Sequence, residues 1–194
     1  MKTKFVVLLV TLSVMNLSPA QDKELPYYEL PEYSKTYTAG TVAARMVDGL
    51  GFRYYWATEG LRAEDLFYKP SEDSRTTGET IDHIYGLCRV IVNSTLKQPN
   101  GGSQDEALTF AEKRKKTLEY IKTAADILRE SDDISEFKII FKRGENTSEF
   151  PFWNQLNGPI EDAVWHCGQV VLLRRASGNP YNSKASVFSG KVRD

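Results

Sequence analysis

Apolar side chains recur every three or four positions along four stretches of the chain, and this spacing predicts four amphipathic helices. Capping residues and helix breakers set the bounds of these helices. The predicted helices run from Thr38 or Thr41 to about Gly60, from the capping box Thr76-x-x-Glu79 to about Leu96, from the capping box Ser103-x-x-Glu106 to about Ser131, and from Pro159 to Gly178. Helices that each carry an apolar stripe bury it by packing together, which predicts a four-helix bundle.

A different pattern separates the third and fourth helices. The stretch Phe137–Lys142 is short and rich in β-prone residues, Arg143–Asn146 is typical of a turn, and Phe150–Trp153 is apolar again. This pattern predicts a small hairpin, with Pro151 confining its second strand to an edge. The expected fold class is therefore all-α, a four-helix bundle with a small β-hairpin between helices three and four.

The N-terminus has the pattern of an export signal. Two lysines precede a mostly apolar stretch, residues 5–17, which is short for a membrane span, and Ser18-Pro19-Ala20 supplies small residues for cleavage. We expect a signal peptide over residues 1–20 and an exported protein, periplasmic or extracellular; the alternative is an uncleaved anchor. The rest divides into an extended segment (21–37), the bundle domain (38–180) and an irregular tail (181–194).

Composition and charge narrow the function classes. The 194 residues are 26% charged and 41% hydrophobic, which is ordinary for a globular domain. Loss of Lys2 and Lys4 with the signal peptide shifts the formal net charge from −1 to about −3. An acidic exported protein is a poor candidate for binding nucleic acid, and we expect no stable membrane span after cleavage. The two cysteines are too few for a four-cysteine zinc site.

His83 and His166 are the only histidines in the sequence, one on each of the second and fourth predicted helices. Asp162 precedes His166 by four residues, so the two side chains stand one above the other on the helix. Two imidazoles and a carboxylate suit a divalent ion such as zinc, nickel, iron or manganese. In the alternative interpretation, Asp162 and His166 form an ordinary polar pair and His83 is a hydrogen-bonded residue at the edge of the core.

Two segments carry a family resemblance, Thr77–Ile84 and Asp162–Gln169. With the order of the elements, they make the chain similar to the DinB/YfiT-like four-helix-bundle proteins over Thr38 to about Pro180. In that family a histidine on helix two and an H-x-x-x-H pair on helix four bind a divalent metal. The resemblance implies that His83 is the helix-two ligand, that His166 is the second histidine of the pair, and that Asp162 replaces the first.

The resemblance also implies a chemistry, because some family members are thiol-dependent transferases or isomerases. We therefore expect an exported metal-binding protein, with a small-molecule substrate or thiol and a metal-dependent thiol transfer or hydrolysis. Glu79 and Gln169 are candidates for orienting a ligand from the second shell, or else are polar residues of the helix surface. The alternative function is a non-catalytic envelope binding module that can form a homodimer and in which the histidines are structural.

The two cysteines, Cys88 and Cys167, fall on the same two helices as the histidines. If those helices are neighbours, a disulfide can form after export; two buried free thiols are the favoured state. Cys167 directly follows His166, and adjacent residues do not face each other on a helix. The sequence therefore argues against a Cys–His nucleophilic pair.

Overall fold

The computed structural model describes residues 25–101 and 107–194, and this part of the chain is mostly helical. The predicted signal peptide lies outside the described residues. The helices are α1 (Ala39–Thr58), α2 (Ala63–Phe67), α3 (Thr77–Thr95), α4 (Phe110–Arg129), α5 (Trp153–Gln155) and α6 (Glu161–Ala176). The strands are β1 (Ile139–Arg143), β2 (Asn146–Phe150), β3 (Ala185–Ser186) and β4 (Lys191–Val192). Within the two described ranges, no helix combines the length and apolarity needed to cross a membrane.

Local capping signals fix the starts of the long helices. The predicted start of α1 is confirmed, with Thr38 as its N-cap. The Thr76–Glu79 capping box at the start of α3 is also confirmed. The predicted start of the third helix is wrong: residues 107–109 are not helical, and α4 begins at Phe110 behind a Thr109–Glu112 box. Thr109, the capping residue of that second box, directly precedes Phe110, which packs on the core. The predicted box falls outside the described residues.

The long helices pack around one apolar core. α1 contacts both α4 and α6, and α3 also contacts both α4 and α6. Gly40 permits the close approach of α1 to the end of α4, because a Cβ there would lie 2.2 Å from the carbonyl oxygen of Ser131. Burial of a large apolar side chain stabilises the fold by about 1.5–3 kcal/mol. Fully buried side chains from these helices include Leu50, Tyr54, Ile81, Ile84, Leu118, Ile121 and Leu128.

The predicted hairpin is confirmed, but the path after it differs from the prediction. β1 and β2 pair antiparallel, with Arg143 opposite Asn146, and Gly144 takes a left-handed φ of 60° in the two-residue loop. The second strand ends at Phe150 rather than at Trp153. Helical turns begin at Trp153 instead of Pro159 and break at Gly158, after which α6 starts at Glu161. Proline lacks the amide donor that a continuous helix needs there.

The segments at both ends of the helical core pack against it, and the tail contains a short pair of strands. Tyr27 packs into the core, and Gly51 makes room for its ring, since a Cβ there would lie 2.5 Å from it. In the tail, β3 and β4 form a short antiparallel pair, and the amide of Leu30 donates to the carbonyl of Gly190 at 2.8 Å. The stretch between the first two long helices contains α2, whose first turn is held by Asp65.

Candidate metal centre

α3 and α6 place the three candidate ligands at their shared seam. His83 lies in the second turn of α3, while Asp162 and His166 lie one turn apart at the start of α6. Ile84 and Ala163, which follow His83 and Asp162 in sequence, are completely buried. Burial of these apolar neighbours fixes the rotation of both helices, so that the polar side chains meet at the edge of the core.

The structure brings the three predicted ligands together. One ligand atom from each of His83, Asp162 and His166 lies within 4.8 Å of the others. Nε2 of His83 lies 3.1 Å from Oδ2 of Asp162, and Nδ1 of His166 lies 3.0 Å from Oδ1 of the same carboxylate. The imidazole rings are 4.5 Å apart between centroids and inclined at 61°. The carboxylate thus contacts both imidazoles.

The hydrogen bonds indicate the tautomer of His166. Its Nδ1 lies 2.9 Å from the carbonyl oxygen of Asp162, in addition to the carboxylate contact. Both of these oxygens are acceptors, so we assign the ring proton to Nδ1. The lone pair of the neutral ring is then on Nε2, and a donor, Nη1 of Arg75, lies 3.4 Å from it. A backbone carbonyl bond to Nδ1 that leaves Nε2 available is the usual arrangement of a metal-binding histidine.

The donor set fits a divalent first-row ion. Zinc, for example, binds imidazole nitrogen and carboxylate oxygen at about 2.0–2.2 Å, which places neighbouring ligand atoms about 3–4 Å apart. The 3.1 Å between Nε2 of His83 and Oδ2 of Asp162 lies within that range, and the three side chains offer atoms within 4.8 Å of one another. His83 can present Nε2 to an ion once its ring proton moves to Nδ1, so the required change is small. The residues present therefore fit the ion that the sequence predicts.

Exposure differs among the three side chains and defines an open side. The side chains of His83 and Asp162 are 34% and 33% exposed, whereas that of His166 is 11% exposed. His166 therefore forms the inner wall, and the other two residues line the mouth. Trp165, whose side chain is largely exposed, lies beside the mouth with its ring 6.3 Å from that of His166. Three protein ligands and an open side leave room for a small molecule.

The two outer candidates, Glu79 and Gln169, are placed differently from each other. The Glu79 carboxylate accepts from the backbone amide of Thr76 at 2.7 Å and from the Thr76 hydroxyl at 3.1 Å. The first of these bonds is the largest cause of the lowered pKa of Glu79. Glu79 thus fixes the start of the helix that carries His83. Gln169 is half-buried in the turn after His166. A ligand-orienting role for either residue stays a prediction.

Arg75 is the residue of this site that sequence reasoning missed. It is exposed in the loop before α3, one position ahead of the Thr76 cap. Its place beside the capping box of the helix that carries His83 was the one available signal. The contact with His166 spans 91 positions, so it depends on how α6 packs against α3.

Neither cysteine is placed to act as a nucleophile at this site. Cys88 and Cys167 are both buried free thiols. Burial raises the pKa of Cys167 to about 12 and raises that of Cys88 well above its usual value. A thiol with so high a pKa is a poor nucleophile at neutral pH. A thiol reactant would therefore have to come from a small molecule.

No protein-family model, no curated protein and no solved structure matches this chain. The class of site is thus defined by its own geometry: a His–Asp–His cluster at the seam of two packed helices in a mostly helical chain.

Proposed function

We propose that this protein is an exported, DinB-like metalloprotein in which His83, Asp162 and His166 bind one divalent ion. The observation that carries the proposal is the convergence of the three donors, with one ligand atom of each within 4.8 Å of the others. Asp162 and His166 lie on α6, and Asp162 contacts His83 on α3, 79 positions earlier in the chain. The family assignment and the export rest on the sequence.

The arrangement of the long helices supports the proposed four-helix bundle. α1 and α3 each pack against both α4 and α6. These pairwise contacts are those expected when four helices pack around one core. Four-helix bundles build their metal sites from side chains on facing helices. The seam between α3 and α6 is where the candidate ligands lie.

We propose metal-dependent thiol transfer or hydrolysis on a small molecule as the reaction class. A divalent ion with open positions lowers the pKa of a thiol or water that enters them. The chain itself would contribute the inner wall at His166, the anionic charge of Asp162 and the half-exposed imidazole of His83 at the mouth. Because both cysteines are buried, the chain offers no thiol of its own to the site.

One observation favours the alternative, a non-catalytic envelope binding module. Asp162 already accepts from both imidazoles, so the polar groups of the cluster are satisfied without an ion. In that case the carboxylate and the two histidines would tie α3 to α6, and the surface of the bundle would carry the function. A buried or half-buried polar network of this kind stabilises one arrangement of helices.

Metal analysis of the purified protein separates the two functions. The proposal predicts stoichiometric metal in the wild type and its loss in His166→Ala. Because His166 is nearly buried, His83→Gln at the half-exposed position serves as a second variant, and circular dichroism verifies folding of both. Glu161→Ala, at an exposed position of the same helix, is the matched control and should keep the metal. Equal, substoichiometric metal in all four proteins would support the alternative.

A further inference from the structure

Arg75 contacts Nε2 of His166, the nitrogen to which we assign the free lone pair of the neutral ring. Its Nη1 lies 3.4 Å from Nε2 of His166, on the side of the ring opposite the bond between Nδ1 and the Asp162 carbonyl. A guanidinium has donors and no acceptor, so it directs an N–H at the lone pair of Nε2. A metal ion needs the same lone pair. The two cations cannot share it, and metal binding must displace the guanidinium.

The residues that follow Arg75 fix the position of its backbone, and its side chain is exposed. The next residue, Thr76, caps α3, and the amide of Thr77 donates to the carbonyl of Tyr68 at 3.0 Å. Gly78 lies against the carbonyl of Leu66, where a Cβ would be 3.1 Å away. The loop is therefore clamped on α2, and the displaced guanidinium stays within one side-chain length of the mouth.

The charges around the mouth favour an anion. Asp162 balances only half of the charge of a divalent ion, and Arg75 adds a further positive charge. Among the charged groups nearby, Glu79 accepts from Thr76, Lys69 pairs with Glu72 at 2.7 Å, and Asp82 pairs with Lys113. Glu161 is exposed beside Asp162 and offsets one positive charge of the three that the ion and Arg75 supply together. An occupied centre would thus carry net positive charge on its exposed side, where a small anion is stabilised.

We propose that Arg75 recognises the carboxylate of the small molecule that enters the open side of the metal centre. This inference rests on the proposed function and names its substrate class as a carboxylate-bearing thiol. The planar guanidinium fork matches a carboxylate with two parallel hydrogen bonds, which an ammonium cannot reproduce. Arg75 then acts as the substrate-binding residue at the mouth, and His166 releases it when the ion binds.

The test compares two thiols on cobalt(II)-loaded protein by visible and near-ultraviolet absorption titration. The probes are 3-mercaptopropionate and its methyl ester, which share the thiol and differ in the negative charge. We expect the wild type to bind 3-mercaptopropionate more tightly than the methyl ester. In Arg75→Gln, the ratio of these two affinities should fall by about fivefold to tenfold. Arg75→Lys should recover only part of that difference.

Lys69→Gln is the matched control, because it removes one positive charge from the same loop without touching the histidines. It should keep the wild-type ratio. An equal ratio in wild type and Arg75→Gln overturns the role of Arg75 and leaves the metal centre standing. Cobalt binding that is unchanged by His166→Ala, or no cobalt binding at all, overturns the metal centre and the inference with it.

Discussion

Nε2 of His83 lies 3.1 Å from Oδ2 of Asp162, and this contact joins α3 to α6 between residues 79 positions apart. Both side chains are about one-third exposed, so the contact is accessible to an ion and to solvent. An ion held there would bind the folded chain and not the unfolded one. Metal binding and fold stability are therefore coupled in this account.

Replacing Asp162 by alanine should remove one metal ligand while leaving α6 in place. We expect Asp162→Ala to weaken zinc binding by about 100-fold or more, since loss of even an outer partner of a metal ligand costs about 10–100-fold. Glu161→Ala removes the neighbouring exposed carboxylate and should bind zinc like the wild type. Competition against a chelator of known affinity measures both.

The same variants test the coupling to stability. Zinc at 100 times its dissociation constant should stabilise the wild type and Glu161→Ala by about 2.7 kcal/mol. It should leave the unfolding midpoint of Asp162→Ala nearly unchanged. Equal zinc affinity and equal stabilisation in Asp162→Ala and Glu161→Ala would show that the carboxylate is not a ligand.

The long helices and the convergence of the three candidate ligands are predictable because their signals are local or rare. The box at Thr76 and Glu79 lies within one turn, and so does the Asp162–His166 pair. With only one other histidine in the chain, His83 was the single imidazole that could complete the set. The geometry of the cluster agrees with that prediction.

The parts that the sequence did not predict depend on long-range packing. The start of α4 was assigned to the first of two successive capping boxes, and local pattern alone does not distinguish them. Arg75 contacts His166 across 91 positions, and Asp65 meets Ser177 across 112 positions. The sequence pattern around Arg75 or Asp65 does not predict such a partner, because the contact forms only when the helices pack.

The cysteines should be inert in the folded protein. Burial raises the pKa of Cys167 to about 12, and Cys88 is completely buried. We expect a thiol reagent such as 5,5′-dithiobis(2-nitrobenzoate) to label neither residue at pH 8 and to label both in guanidinium chloride. Rapid labelling of the native protein would contradict the burial. An absence of labelling after unfolding without reductant would show that the two residues form a disulfide.

Asp65 should make stability depend on acid pH. Its buried carboxylate accepts from Arg62, Ser177 and Asn179, and the Arg62 bond is the first cause of its lowered pKa. A lowered pKa in the fold means that the carboxylate stabilises the protein at pH values above its unfolded pKa, near 4, and that this stabilisation fades as the pH falls below it.

Asp65→Asn should therefore lower the free energy of unfolding by about 2–3 kcal/mol at pH 7, and the difference from wild type should shrink between pH 5 and pH 2. Glu64→Gln is the matched control, because Glu64 is exposed and pairs with the same Arg62 at 3.2 Å. Urea unfolding across this pH range measures both variants. A pH-independent difference would show that the charge of Asp65 is not what stabilises the network.

The most direct measurement is anomalous diffraction at the zinc edge from crystals grown with zinc. The account predicts one strong peak at the seam of α3 and α6, about 2.0–2.2 Å from one atom of each of His83, Asp162 and His166, with Arg75 turned away from Nε2 of His166. Ordered crystals with no peak at this cluster, or with Arg75 still bound to His166 beside zinc sites elsewhere, would contradict it.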